Sequence, residues 1–454
     1  MLDDYAMRRS GEAPDFSAVR GRRVLIALSG GADSVALAVM LAEARKAQAL
    51  TLFAAHLDHG IRPESAEDAE FCRALCARLD IPFRCKRIDI PAEAAALRMG
   101  VETVARLRRH EWLEACRAQT ECDYIALAHH MDDQAETLLM HLGRGAGPDG
   151  LRGMRTLDGN RYRPLLGWRK AELMEYLTAR GLIWREDATN RLDDTPRNAL
   201  RLHVIPELEK CYPQFVSAAA RYAQAAQIEC DYLDGLTRDY LDGNRVECPF
   251  YIALDVADRP PRAILRRALR AACPEDLTWD RLNALEALCE QRRGRLDLGR
   301  DHFAERAGRR IYFVPKRLPT IPPVPLALNG ETRLEPLGRV VASPCAPVPV
   351  RDDPSRQVLD PAALQGAVLR TRRAGDRFRP LGCGDRLLSD YLTDKKIDRP
   401  LRDAMLLVAV GERVHWVCGL GISEEAKLTP GCGGVELKYI SEIYDHDGGN
   451  RHAK

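Results

Sequence analysis

No Cys-x-x-Cys pair occurs among the fourteen cysteines of this 454-residue chain, and their nearest spacing is Cys72 to Cys76, one helical turn apart. That pattern argues against a disulfide framework and against a zinc or iron–sulfur cage; it reads as buried thiols in a reducing compartment. Long apolar runs are missing as well, so no segment approaches a membrane span. The first twenty residues carry Asp3, Asp4, Arg8, Arg9, Glu12 and Asp15 and lack the apolar stretch of a secretory signal. A cytoplasmic protein without membrane contact is expected. Excess charge of one sign is absent too, with 68 Lys and Arg against 66 Asp and Glu. Overall electrostatics therefore give no argument for nucleic acid, and any such surface must be local.

What is present is 46% hydrophobic and 30% charged residues, enough for two to four domains with real cores. From Arg23 to about Trp184, strand-like runs at Arg23–Leu28, Leu50–Ala55, Phe83–Ile88 and Tyr124–Ala128 alternate with helix-like segments. Such alternation predicts an α/β domain with a doubly wound parallel sheet. Beyond Pro213 come long Ala-, Leu-, Arg- and Glu-rich stretches, Ala218–Leu241 and Arg262–Glu290, with few strand signals. Prolines 315, 319, 322, 323 and 325 then mark a linker, and the Val- and Gly-rich remainder suits a small mixed α/β domain. The expected divisions are an extension 1–20, an α/β domain 21–212, a helical domain 213–314, a linker 315–329, a C-terminal α/β domain 330–444 and a tail 445–454.

Ligands of doubly wound sheets bind beyond the carboxyl ends of the strands, and three polar clusters stand there: Ser29–Ser34, His56–Arg62 and His129–Glu136. In the first, Ser29-Gly30-Gly31-Ala32-Asp33-Ser34 joins a strand to a helix. Glycines let backbone N–H groups approach a phosphate, two serines add hydroxyls, and the helix start favours an anion. Asp33 among phosphates needs a divalent cation between, which points to a magnesium-complexed nucleotide. No Gly-Lys-Ser/Thr follows, so this is not a P-loop of the Walker type. A bare strand-to-helix turn is the competing reading.

In the third cluster Asp132, Asp133 and Glu136 share one helix face, which requires a cation such as magnesium or a substrate ammonium. An acidic first turn complementing the helix dipole would explain one carboxylate but not three. His56-Leu-Asp58-His59 with His129-His130 also invites a metallohydrolase reading, in which the Ser29–Ser34 loop would have no role. Glu102, Arg106 and Arg109 form either a phosphate contact or a solvated stripe, and the arginines of 184–201 bracket a turn. Between Ala367 and Asp403, ten Lys or Arg residues stand against six Asp, with Phe378 and Tyr391 among them, which suits an RNA backbone or an ordinary surface.

SGGADS resembles the pyrophosphate-binding loop of N-type ATP pyrophosphatases. Together with HLDHGIR, ETVAR, AHHMDDQAET, Arg144–Gly147, Gly150–Met154, the Glu186-Asp187, Asn190, Arg197-Asn198, Arg201 block and the C-terminal Arg372–Pro380 and Asp394–Ile397 segments, it resembles the tRNA(Ile)-lysidine synthase family over nearly the whole chain. Asp58, His110 and Asp398 depart from residues common in that family. The resemblance implies a cytoplasmic ligase that joins L-lysine to the wobble cytidine of an isoleucine tRNA with a CAU anticodon, using ATP and Mg²⁺. A homodimer is also the family's habit. By the same resemblance Ser29, Gly30, Gly31, Ala32, Asp33, Ser34, His56, Arg62, Arg106 and His130 would contact ATP, with Asp33 on the metal. Asp133 and Glu136 would hold lysine, Arg197 would offset phosphate charge, and Arg201, Arg372, Arg377, Lys395 and Lys396 would touch substrate. A tRNA thiolase using the same adenylation and a tRNA-binding protein on a retired ATPase scaffold are the alternatives. Missing Cys-x-x-Cys pairs weigh against the first, and intact Asp33, Asp133 and Glu136 against the second.

Overall fold

The computed structural model of the protein describes residues 14–60, 65–185, 195–346, 352–429 and 432–443. The chain forms two compact units, Met1–Asp231 and Tyr232–Lys454.

The first unit is built on β1 (Arg23–Ala27), whose Val24, Leu25 and Ile26 have no exposed surface. It is followed by α1 (Ala32–Ala44), β2 (Thr51–Asp58), α2 (Ser65–Arg78), β3 (Phe83–Arg87), α3 (Ile90–Leu97) and α4 (Val101–Gln119). Next come β4 (Tyr124–Ala126), α5 (Met131–Gly143), α6 (Pro148–Leu151), β5 (Leu157–Asp158), β6 (Arg161–Tyr162) and α7 (Lys170–Ala179). The sheet order is β3-β2-β1-β4-β6-β5, parallel except for the β5–β6 pair. All four predicted strands are present and parallel. The chain winds from β1 outward to β3, then returns to place β4 on the other side of β1. That reversal opens a crevice beyond the carboxyl ends of β1 and β4, where the polar clusters lie. Helix α1 is apolar on every side, as a helix between a sheet and a covering layer must be. It packs in one core with Leu173 and Leu177 of α7.

After α7 the chain forms α8 (Pro196–Ala199), a π-helical turn (Leu200–Val204), α9 (Ile205–Cys211) and α10 (Phe215–Asn244). Ile205, Val216 and Ala219 pack on Ala135, which ties this segment to α5.

In the second unit, the stretch 213–314, expected to be helical, contains helices Arg262–Ala272 and Trp279–Glu290. Beside them the chain adds a five-stranded antiparallel sheet from Arg245–Cys248, Tyr251–Asp255, Gly294–Asp297, His302–Ala307 and Arg310–Pro315. These strands are short, and helix-forming residues dominate any longer window around them. Leu265, Ala268, Leu269 and Ala272 cover the sheet from one helix face. Within the proline-rich 315–329, Val324–Pro325 pairs with Val368 and Leu369. Two further sheets among the described residues share a core around Trp416, Leu369 and Leu437. Of the cysteines, Cys72, Cys76, Cys116, Cys122, Cys230, Cys289 and Cys418 are buried as expected, whereas Cys211, Cys383 and Cys432 are exposed. No described helix is long and apolar enough to cross a membrane.

Arg370 and Asp376 are each about 1% exposed and form a two-pronged ion pair at 2.7 and 2.9 Å, completed by the carbonyls of Thr371 and Gly411. Removing one partner strands the other charge in the interior, at a cost of about 3–5 kcal/mol. Asp376→Ala is therefore expected to bring the urea transition of the second unit to markedly lower concentration; an unshifted midpoint would show that the pair is dispensable.

Candidate active site

The loop between β1 and α1 is set by its backbone. Gly30 has φ +90°, and a Cβ there would stand 3.3 Å from Cys72 Sγ. The Ser34 hydroxyl donates to Gly31 O at 3.0 Å and accepts the Ser29 N–H at 3.1 Å, closing the loop on itself. Gly31 caps α1, and the first helical turn presents N–H groups that have no acceptor within the helix. Arg185, one of the arginines expected to bracket a turn, donates its N–H to Gly30 O and places its guanidinium on Glu67 and Asp68, fastening the loop to α2. His56 at the end of β2 is buried, with Nδ1 2.8 Å from Leu28 O; burial holds its basicity down, so the ring is neutral and Nδ1 carries the proton. Asp58, one of the departures, is buried and accepts the Gly60 N–H at 3.0 Å.

Helix α5 brings the third cluster against this loop. His130 is its N-cap and is 1% exposed. Its Nε2 lies 3.6 Å from Asp33 Oδ2 and 3.4 Å from Asp133 Oδ2, and its Nδ1 is 3.4 Å from Asp132 Oδ2. Burial opposes a charge on this ring, but the surrounding carboxylates outweigh it and raise its pKa to about 9. His130 is therefore an imidazolium at neutral pH. Its neighbour His129 is pushed down to about 4 by burial and stays neutral.

The three carboxylates of α5 divide into two groups. Asp132 accepts from Arg169 Nε at 3.0 Å and from the Lys170 N–H at 2.8 Å, so it caps α7. Asp133 and Glu136, 8% and 0% exposed, face Arg197 and Arg201. Glu136 accepts from Arg197 Nε and Arg201 Nε, each at 2.6 Å, and Asp133 Oδ1 accepts from the Nη2 atoms of both at 3.0 and 3.1 Å. The cation that this acidic face demands is thus supplied by the chain itself, where the sequence pointed to magnesium or a substrate ammonium. Arg197, expected on polyphosphate, sits on carboxylates in this structure. Burial raises the Asp133 pKa, but His130 and Arg197 outweigh that and hold it below the usual range.

The crevice therefore gathers Ser29 to Ser34, His56, His130, Asp133, Glu136, Arg197 and Arg201. Arg62, like Glu186, Asp187 and Asn190, lies outside the described residues. Arg106 is exposed on α4 and no described contact joins it to the cluster; Arg109, three residues on, reaches His59 Nε2 at 3.4 Å. Arg372, Arg377, Lys395 and Lys396 belong to the second unit. There Arg372 is paired with Asp403 and Arg377 with Asp385, while both lysines are exposed. Asp398, another departure, accepts the Tyr312 hydroxyl at 2.8 Å.

Among the described residues Asp33 Oδ1 is buried without a hydrogen-bond partner, which fits a donor atom for a hard cation. Among the described residues no three His, Cys, Asp or Glu side chains are placed to share a metal. The His-x-Asp-His cluster is thus not arranged as a metal centre, and a cation at Asp33 would complete its shell with phosphate and water, as Mg²⁺ commonly does.

A PP-loop domain family matches residues 8–208, and the TilS substrate C-terminal domain family matches residues 367–439. The tRNA(Ile)-lysidine synthase of Geobacter sulfurreducens is 32% identical over 440 residues, covering 90% of this chain and 91% of its own. The chain belongs to the tRNA(Ile)-lysidine synthase family. Two other relatives of that name, from Symbiobacterium thermophilum and Thermus thermophilus, are 34% and 38% identical. They cover 88% and 70% of this chain, and 90% and 62% of their own length.

Two predictions test this site of the lysidine synthase family. Gly30→Ala forces a side chain into left-handed backbone at about 1–2 kcal/mol, and ATP binding measured by calorimetry is expected to weaken by about tenfold per 1.4 kcal/mol lost. An unchanged affinity would remove the loop from nucleotide binding. Asp132 meets the opposing effect of burial, but His130, the Lys170 N–H and Arg169 outweigh it and keep its folded pKa below the ordinary 3.8. Its contribution is present above that ordinary value and is lost as pH falls toward the folded one. Asp132→Asn should then lower stability at pH 7 and flatten the decline of the first unit in acid; parallel acid curves for the two proteins would contradict this.

Proposed function

We propose that the protein joins L-lysine to C2 of the wobble cytidine of an isoleucine tRNA bearing a CAU anticodon, giving lysidine, AMP and pyrophosphate. Family membership makes it an ATP-using ligase of the PP-loop type. The observation that carries the finer reading is the placing of an acidic pair, Asp133 and Glu136, one histidine away from a phosphate-binding loop. A loop for a triphosphate and a buried site for an ammonium then share one crevice, as coupling an amine to an activated base requires.

In the first half-reaction the cytosine oxygen attacks the α-phosphorus of ATP and pyrophosphate leaves. In the second, the lysine amine attacks C2, the C–O bond breaks, AMP departs and the amine loses a proton. Ser29, Gly30, Gly31, Ala32 and Ser34 hold phosphate through N–H and O–H donors, with the α1 N-terminus behind them. Asp33 would hold Mg²⁺, which supplies charge neutralisation on the polyphosphate. His130 positions Asp33, and His56 keeps Leu28 and the loop in register with β2. Arg62 and Arg106 would supply further phosphate contacts. Asp133 and Glu136 bind the lysine ammonium, and Asp133 is the candidate acceptor for the proton. Segments 213–314 and 330–444 would grip the tRNA backbone, the latter through Lys395 and Lys396, with Arg372 and Arg377 beside them.

The test is incorporation of labelled lysine, and separately of label from [α-³²P]ATP, into an isoleucine tRNA transcript with a CAU anticodon. Lysine joined in an ATP- and cytidine-dependent way supports the proposal, while adenylation without lysine points to another nucleophile. Asp33→Ala is expected to reduce adenylation by roughly 10²-fold or more. Glu136→Ala should leave adenylation largely intact and raise the lysine requirement; equal loss of adenylation in both variants would remove this division of labour.

A further inference from the structure

We propose that Arg197 and Arg201 occupy the ammonium site of Asp133 and Glu136 as a built-in stand-in for the amine substrate, and that nucleotide phosphate draws them off, so the amine site opens only once ATP is bound. The proposal rests on the lysidine-forming reading above. Both oxygens of Glu136 and Oδ1 of Asp133 are already engaged by guanidinium N–H groups, and Asp133 Oδ2 accepts the His130 N–H at 3.0 Å. An entering ammonium meets acceptors that are taken. One side of the contact has to give way.

The carboxylates are the fixed side. Glu136 is wholly buried, and the first turn of α5 is anchored by the Asp133 contact to the His130 N–H and by the Met131 N–H on Trp168 O. The guanidiniums are the movable side. Their side chains are 35% and 26% exposed, and α8 and the π-helical turn that carry them bury no residue. A π turn is a rare helical segment that recurs at functional sites.

The direction of movement follows from what lies next to the quartet. His130 touches both Asp33 and Asp133, so the phosphate loop stands one imidazole from the guanidiniums. Arginine pairs with phosphate through the same two-pronged geometry it uses with carboxylate. A bound triphosphate therefore offers Arg197 and Arg201 an alternative partner. Once they turn to it, Glu136 is left as a buried, uncompensated charge and Asp133 keeps only His130, so the next cation to arrive is held strongly. ATP would bind first and lysine second, which keeps the nucleophile out until the phosphate it depends on is in place. Arg197 and Arg201 act here as positioning residues.

Calorimetric titration of L-lysine into the full-length protein tests the proposal, with Mg²⁺ alone and with Mg²⁺ plus saturating α,β-methylene-ATP. The analogue is expected to tighten lysine binding by about tenfold or more, and by linkage lysine must tighten the analogue by the same factor. Arg201→Met should bind lysine without nucleotide more tightly than the wild-type protein does and should lose most of the coupling. The wild-type titration decides alone if that variant does not fold. Equal lysine affinity with and without the analogue, or no detectable lysine binding with it, overturns the proposal. If labelled lysine is still incorporated into tRNA in that case, the arginine gate alone falls; if it is not, the lysidine-forming reading falls as well.

Discussion

Glu136 has no exposed surface, and a carboxylate there is tolerable only if cations meet it inside the protein. That demand shapes the first unit. The two guanidiniums that answer it come from 61 and 65 residues further along the chain, so the segment after α7 must return across α5. The same helix supplies the apolar anchor for that return, because Ala135 packs against Ile205, Val216 and Ala219. Charge pairing and apolar burial thus act on adjacent positions of one helix. Neither alone fixes the segment: the apolar contact brings it close, and the ion pairs set which arginines point inward.

The phosphate loop and the acidic face are one electrostatic system. Four carboxylates, Asp33, Asp132, Asp133 and Glu136, meet four cations, His130, Arg169, Arg197 and Arg201. His130 is the link, since it touches three of the carboxylates and is charged because of them. Any anion arriving on the loop therefore changes the balance at Asp133 and Glu136 through a buried path, where screening by salt is weak. Asp132 stands apart from the others in this system. Its oxygens are bound by Arg169 and by the start of α7, so it couples the cluster to the helix that covers α1.

The parallel strands, the glycine loop and the shared face of Asp133 and Glu136 were legible in the sequence, because each is a local property of spacing or of residue type; Asp132, grouped with them there, turns instead to Arg169 and the start of α7. The need for a cation on that face was legible too. Its identity was not, since Arg197 and Arg201 were visible as arginines bracketing a turn and, by resemblance, as phosphate and substrate contacts, and pairing them with α5 depends on the tertiary path of the chain. Arg185 escaped for a related reason: its N–H contact to Gly30 is a backbone interaction that leaves no mark on residue type. The five-stranded sheet of the second unit escaped because runs such as Ile311 to Val314 are brief and lie among strongly helical stretches.

The second unit shows why a count of basic residues overstates a nucleic-acid surface. Of the ten Lys and Arg residues between Ala367 and Asp403, Arg370, Arg372, Arg377 and Arg386 are paired with Asp376, Asp403, Asp385 and Asp394. Arg402 is turned to Ile397 O and Thr393 Oγ1. Arg373, Arg379, Lys395, Lys396 and Arg399 are exposed and make no ion pair among the described residues. A cation that neutralises a phosphate releases counterions condensed on the nucleic acid, and a guanidinium already held by a carboxylate is poorly placed to do so; on the proposed reading these five would carry the sequence-independent attraction. The paired arginines do a different task, fixing the short strands and turns on which the free cations stand. Arg370, buried with Asp376, holds the start of the loop that carries Arg373, and the same carboxylate accepts the Arg373 N–H. The basic stretch is thus half scaffold and half surface, and its aspartates are what make the division.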